Sequence, residues 1–385
     1  MRPILSRKLE GFGTTIFSEM TRLAIEHRAI NLAQGFPDFD GPEFAKEAAI
    51  AAIRNGHGQY ARVTGIPELH RKLSEKYLRD YNLAYAADTE ITITSGATEA
   101  IFAAIQGTCD PGDEVVLFEP FYDSYRASVS MAGATARFVT LHSPDWSFDR
   151  KELAAAFTQK TRAIVVNTPH NPTGKVFSQD ELSEIARLCA ERDVLCITDE
   201  VYEHLVYEGR HIPIAVLPGM RERTITISSF GKTFSLTGWK IGWAAAPPAL
   251  SAAVRAAHQF ITFATATPLQ HAAATALDAP PEYYASLQES YRRKRDFLAS
   301  ALERLGFQVS PCCGTYFLCA GFSRFGFDDD VAFCRHLTEK VGVAALPPTS
   351  FYGKSDEGKR YARFAFCKKD ETLREAVSRL ENLTS

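Results

Sequence analysis

The scarcities of this chain narrow its chemistry first. It has no charge excess that would grip nucleic acid: 43 Lys and Arg stand against 46 Asp and Glu, a formal net charge of −3. No apolar run approaches the roughly 20 residues that cross a bilayer. The first residues, Met1-Arg2-Pro3-Ile4-Leu5-Ser6-Arg7-Lys8, lack the apolar stretch of an export signal. No Cys or His spacing matches a zinc site, so no metal is expected. The eight cysteines are scattered; Cys189, Cys196, Cys319 and Cys367 sit inside apolar runs, and the adjacent Cys312 and Cys313 are too close for an ordinary disulfide. The expectation is a reduced, cytoplasmic, soluble protein with no nucleic-acid or membrane partner. Apolar material is not scarce. At 45% hydrophobic residues over 385 positions the chain can bury a large interior, and that length favours two domains over one.

In chain order, Ile16, Met20, Leu23, Ala24 and His27 recur at helical spacing. The Gly- and Pro-punctuated segment Asn31 to Pro42 follows and cannot be a helix; it reads as a packed linker or a pocket wall. An alanine-rich helix over 43–54 ends at Asn55-Gly56-His57-Gly58, leaving Tyr60 on a loop. Pro67 to Tyr81 reads as an amphipathic helix. The pattern then turns α/β. Short apolar strands at 91–94, 115–118, 163–166, 194–198 and 224–227 alternate with helices, which argues for a mostly parallel sheet covered on both faces. After Lys240 the pattern is helical, with one long charged helix from Glu282 to Leu305. Short strands return at 314–319 and 361–366, and a helix closes the chain. The expected fold class is therefore α/β, a mostly parallel sheet in a large domain with a smaller α+β domain behind it.

Ligands of open parallel sheets bind at the carboxyl ends of the strands. Here those ends carry Ser95-Gly96-Ala97-Thr98, Tyr122, Asn171, Asp199 and Lys232. The first is a glycine and hydroxyls opening a helix, which is either an ordinary cap or an anion site. Lys240 and Ser229 can add charge and a hydroxyl to the same anion. Asp199 ends an apolar strand and needs a partner: a protonated ring nitrogen, an internal cation or a metal. Tyr202 and the Asn171 amide can donate to a ring oxygen. Tyr122 can stack on a ring or simply fill core. Lys232 follows a buried strand, where desolvation lowers a lysine's pKa and frees its lone pair for nucleophilic attack. Arg363 lies on a strand otherwise made of Tyr, Phe and Ala; its fork needs a carboxylate, from a substrate or from an internal acid.

Taken together, Gly35-Phe36-Pro37-Asp38-Phe39, Ser95 to Ala100, Asn167-Thr168-Pro169-His170-Asn171-Pro172-Thr173-Gly174, Asp199-Glu200-Val201-Tyr202, Ser228 to Gly242 and Arg363-Phe364 resemble one family. These stretches are similar to the pyridoxal-phosphate-dependent aminotransferases of fold type I, over nearly the whole chain, and to the methionine and kynurenine–glutamine branch in particular. The resemblance implies that Lys232 forms the Schiff base with pyridoxal phosphate (PLP) and shuttles the proton. It implies that Asp199 holds the pyridine nitrogen, that Asn171 and Tyr202 bind the ring oxygen and that Tyr122 stacks on the ring. Ala97, Thr98, Ser229 and Lys240 would hold the phosphate, joined by Tyr60 of a neighbouring subunit, so a homodimer is implied. Asn171 and Arg363 would take the substrate carboxylate, assisted by the backbone at Gly35. Many members carry arginine where Lys240 stands; lysine meets phosphate as a point charge without a fork.

The partners implied are an amino acid and a 2-oxo acid. The aromatic candidates Phe12, Phe36, Tyr60, Tyr122, Tyr125 and Phe263 favour methionine, glutamine, phenylalanine, tyrosine or kynurenine over aspartate as donor. The expected division is an N-terminal segment 1–42, a large cofactor-binding domain 43–281 and a small domain 282–385. Three rival readings remain at this point. Cysteine-S-conjugate β-lyase chemistry uses the same Schiff base. A regulatory module on this fold would carry an added DNA-binding domain, for which the match, starting almost at the N-terminus, leaves no room. Gly231-Lys232-Thr233 resembles the end of an ATPase P-loop, but Thr226 stands where that loop needs glycine.

Overall fold

The computed structural model describes residues 4–383. Met1, Arg2 and Pro3, at the head of the expected N-terminal segment and of the stretch without an export signal, lie outside the described residues, as do Thr384 and Ser385 of the expected small domain. After β1 (Ile30–Asn31), eight strands form one sheet: β2 (Ile91–Thr94), β3 (Glu114–Glu119), β4 (Thr135–His142), β5 (Ser147–Phe148), β6 (Thr161–Asn167), β7 (Leu195–Asp199), β8 (Thr224–Ser229) and β9 (Gly242–Ala245). Their order across the sheet is β2-β9-β8-β7-β6-β3-β4-β5. Strands β4, β3, β6, β7 and β8 run parallel. Every residue of β2, β8 and β9 is buried, so both faces are covered, as continuous apolar and threonine-rich strands require.

Strand β9 departs from the helical reading after Lys240. It is antiparallel to both β2 and β8, with Gly242 in register with Thr94 on one side and Ser229 on the other. Gly242-Trp243-Ala244-Ala245 has weak strand propensity of its own; its extended state comes from filling the slot between two strands. That slot also dictates the glycine. A Cβ on Gly242 would stand 2.5 Å from the Gly96 carbonyl carbon and 2.6 Å from the Ala97 nitrogen. The turn opening the helix Gly96–Thr108 is thus pressed against the start of β9.

The long helix Pro281–Leu305 ends at Gly306, whose φ of +98° suits glycine. It leads to β10 (Gln308–Val309) and β11 (Phe317–Gly321), then to β12 (Val343–Ala344) and β13 (Tyr361–Ala365). Strands β10, β11 and β13 form an antiparallel sheet, and β12 pairs parallel with β1. Met20, Leu23 and Ala24 of the helix Ile16–Glu26 share a core with Leu302, Phe307 and Phe364, so the first helix packs with the last third of the chain. Among the described residues no helix is long and apolar enough to cross a membrane. The eight cysteines are unpaired.

A buried ionic network locks the loop after β7. Lys76, on the helix Pro67–Tyr81, donates to Glu203 Oε2 at 2.6 Å, and Ser228 donates to Glu203 Oε1 at 2.8 Å. Burial alone would push the Glu203 carboxyl up, but Lys76, His204 and His211 hold it below the usual carboxylate range. Because Asp199 ends β7 and Tyr202 sits on this loop, the network fixes their approach to the sheet edge. Lys76→Met should cost on the order of 3–5 kcal/mol, since it strands a buried charge, read as a lowered urea midpoint. The stabilisation is present above the unfolded carboxylate value, about 4.3, and fades as pH falls toward the depressed folded value. A loss under about 1 kcal/mol at neutral pH would contradict this role.

Candidate active site

Topology gathers the strand ends. β2 and β8 flank the start of β9, so Ser95, Ser229 and Lys240 meet at one edge. β7 pairs with β6 through Asp199 and Asn167, two strands over. A cavity of about 380 Å³ opens along this edge, bounded on its far side by Phe317 and Arg363 of the small sheet. Gly35, Ala97, Thr98, Tyr122, Asn171, Asp199, Tyr202, Ser229, Lys232, Lys240 and Arg363 all line it.

Lys232 lies in the short helix Phe230–Thr233 that follows β8. Burial, helped by the Lys240 and Arg363 charges, pushes its ammonium down to about 8. Its Nζ donates to the Tyr316 hydroxyl at 3.0 Å, and that hydroxyl donates to the Gly35 carbonyl at 2.6 Å. Asp199 Oδ2 accepts from the Tyr125 hydroxyl at 2.7 Å, and Oδ1 accepts from the Val201 amide at 3.3 Å. Burial raises the Asp199 pKa; a cation brought to it from the cavity would restore the carboxylate. The cup at the helix start carries Lys240, whose Nζ lies 3.1 Å from where a Cβ on Gly96 would stand.

Arg363 is 1% exposed. On β13 it faces away from Phe364, and it lies over the Phe317 ring at 4.0 Å. Nη1 donates to Asn171 Oδ1 at 2.9 Å and Nη2 to the Ala33 carbonyl at 2.8 Å, while the buried Nε has no partner. Because Asn171 turns its oxygen to the guanidinium, its Nδ2 donors face elsewhere. Among the described residues no carboxylate pairs with Arg363, and burial lowers its pKa to about 10. The guanidinium is held, oriented and left short of an anion.

A family model, aminotransferase class I and II, matches residues 27–380. The chain is 42% identical to methionine aminotransferase of Escherichia coli, covering 98% of this chain and 97% of that one. It is 41% identical to human kynurenine–oxoglutarate transaminase 3, covering 96% and 88%. The solved structure of N-succinyldiaminopimelate aminotransferase from Mycobacterium tuberculosis superposes with a TM-score of 0.96 at 47% identity, covering 98% and 100%. This chain is a class I and II aminotransferase.

That family works with pyridoxal phosphate, and the residues of this aminotransferase fit the group. An amine of lowered pKa, a buried acid at a strand end and a glycine-opened helix with a lysine over it lie in one cavity. The ATPase reading loses its footing, because Thr226 lies inside β8 and no glycine loop precedes Lys232.

Of the six aromatic candidates only Tyr122 lines the cavity, and the structure places the other five elsewhere. Phe12 lies under the Arg126 guanidinium at 5.6 Å, Phe36 is half exposed with Lys368 over its ring, and neither lines the cavity. Tyr60 is 84% exposed and meets Phe263 edge-on at 5.4 Å on the surface. Tyr125 stands behind Asp199 as its hydrogen-bond donor. Sequence reasoning missed Tyr316, which in sequence is one aromatic in a strand of apolar neighbours, and Asn167, whose Nδ2 holds the Asp199 carbonyl at 2.8 Å. Asn167 does follow an apolar strand, the signal that marked Asp199.

Covalent capture of pyridoxal phosphate by the cofactor-free protein, followed by absorbance, should rise with pH through a midpoint near the lowered lysine value of about 8. Lys232→Ala should show no capture at any pH. A midpoint near 10.5, the ordinary lysine value, or capture by the alanine variant would contradict the assignment.

Proposed function

We propose that this aminotransferase holds pyridoxal phosphate at Lys232 and moves the amino group of a neutral or aromatic amino acid to a 2-oxo acid. The donors this reading favours are methionine, glutamine, phenylalanine, tyrosine and kynurenine. The observation that carries it is Arg363, a buried guanidinium without an acid partner among the described residues, facing the cavity that holds Lys232. A fork in that state selects a carboxylate, and an α-carboxylate brings the α-amino group with it. When bound, the cofactor supplies an electron sink for the carbanion left by Cα deprotonation. Asp199 would keep the ring nitrogen protonated, Asn171 Nδ2 and the Tyr202 hydroxyl would donate to the ring oxygen, and Tyr122 would cover a ring face. Ala97, Thr98, Ser229 and Lys240 would hold the phosphate. Lys232 Nζ, deprotonated, would take the Cα proton.

Among the described residues lining the cavity the cationic side chains are Lys232, Lys240 and Arg363, each already committed. That favours a donor without a second carboxylate. The likeness to N-succinyldiaminopimelate aminotransferase supports a second reading, a longer donor with a distal acid. We assign the division 1–42, 43–281 and 282–385 and a cytoplasmic location to the same reading. A homodimer belongs to it too: Tyr60 and Phe260, at 84% and 86% exposed, lie with Phe263 on a surface that a second copy would cover, bringing Tyr60 to the other subunit's phosphate.

A kcat/KM panel over methionine, glutamine, phenylalanine, tyrosine, kynurenine, aspartate, N-succinyldiaminopimelate and a cysteine S-conjugate tests the assignment. The first five should lead by at least about tenfold, roughly 1.4 kcal/mol. Aspartate as best donor would overturn it, N-succinyldiaminopimelate as best would establish the second reading, and dominant pyruvate release from the conjugate would make the chain a lyase.

A further inference from the structure

Glu99 is an unexpected neighbour for an anion site. It stands in the first turn of the helix Gly96–Thr108, whose N-terminal turn forms the phosphate cup, and it is buried. Its Oε2 accepts the Ser95 amide, the residue before Gly96. An uncompensated carboxylate there would repel a phosphate dianion and compete with it for the helix N-terminus.

His258 meets that charge. It is fully buried on the helix Pro248–Ile261. Its Nδ1 bonds Glu99 Oε1, and its Nε2 lies 2.7 Å from the Val63 carbonyl. A carbonyl can only accept, so Nε2 carries a hydrogen. The ring's other nitrogen faces a carboxylate, so one further proton belongs to the pair. Whether that proton rests on Nδ1 or on Oε1, the Glu99 carboxylate carries no unbalanced charge. Burial opposes an imidazolium, but the bond to Glu99, its charge and the Val63 carbonyl together raise the His258 pKa. The same ring ties the cup to the 60–65 loop, which carries Tyr60.

We propose that His258 is a positioning residue of the phosphate cup: by neutralising Glu99 and holding it against the Ser95 amide, it makes the Ser95–Thr98 turn selective for a dianion. The inference rests on the pyridoxal-phosphate reading above. It predicts a defect specific to the phosphate and not to the ring.

The test compares dissociation constants of pyridoxal phosphate and pyridoxal for the cofactor-free full-length protein, by absorbance titration. His258→Gln should lower the preference for the phosphorylated form by at least about tenfold while changing pyridoxal affinity less than about threefold. Glu99→Gln combined with His258→Gln, which removes the stranded charge, should bring the preference back to within about threefold of wild type. An unchanged preference in His258→Gln, equal losses for both compounds, or no recovery in the double variant would overturn the inference. Should His258→Gln not fold, Glu99→Gln alone decides: retention of the preference within about threefold supports the charge argument, and a loss above about tenfold overturns it. Wild-type protein that binds neither compound would overturn the cofactor reading and this inference with it. Wild-type protein that prefers the phosphate, with His258→Gln indistinguishable from it, would overturn this inference alone.

Discussion

A guanidinium taken out of water, with no acid among the described residues to meet it, is the constraint on which the site depends. Arg363 is held by two neutral oxygens, from Asn171 and Ala33, and by the Phe317 face, with Nε left over. These contacts orient the fork but do not neutralise it. Burying such a group costs free energy, which the two oxygens and the ring face offset only in part. The three partners of the fork come from three distant parts of the chain: Ala33 from the N-terminal segment, Asn171 from the loop after β6 and Phe317 from β11. Arg363 thus ties its end of the cavity to the packing of the first and last parts of the chain.

At the opposite end, the same logic runs through the sheet. Lys232, Asp199 and the glycine-opened helix start occupy neighbouring strand ends because β9 inserts between β2 and β8 and brings Gly242 against Gly96 and Ala97. Each buried charge is oriented by a second group. Tyr125 and Val201 hold Asp199, Tyr316 holds Lys232, Lys76 holds the loop through Glu203, and His258 holds Glu99. In this setting a desolvated amine near pKa 8 shares one cavity with two other cations, Lys240 and Arg363.

Much of this was legible in the sequence, for identifiable reasons. Strands such as Ile91–Thr94 and Thr224–Ser229 are apolar or β-branched throughout, and a polar residue directly after such a run stands out. Asp199 was visible in that way, Asn171 and Lys232 as polar residues in the loops just beyond such runs, and Arg363 as a charge inside one, and the structure lines one cavity with all four. Strand β9 was not visible, because glycine and alanine carry little strand signal and tertiary insertion decides their state. Tyr316 and His258 were not visible either. Each looks like core in sequence, and its importance lies in one hydrogen bond to a residue far away in the chain. Phe12, Phe36, Tyr60 and Phe263 show the converse: an aromatic residue suits a pocket wall or a surface equally, and only the fold decides.

The central claim is that Arg363 recognises an α-carboxylate for chemistry at Lys232. It is tested most directly by single-turnover reaction of the cofactor-loaded protein with an amino acid and with the matching amine that lacks the carboxylate, in wild type and Arg363→Met. The account predicts that the substitution slows the amino acid by roughly 10² to 10³-fold, the loss expected when a buried charged group loses its partner, and leaves the amine's slow rate within about threefold. Equal losses for the two compounds, or an amino acid rate unaffected by the substitution, would contradict it.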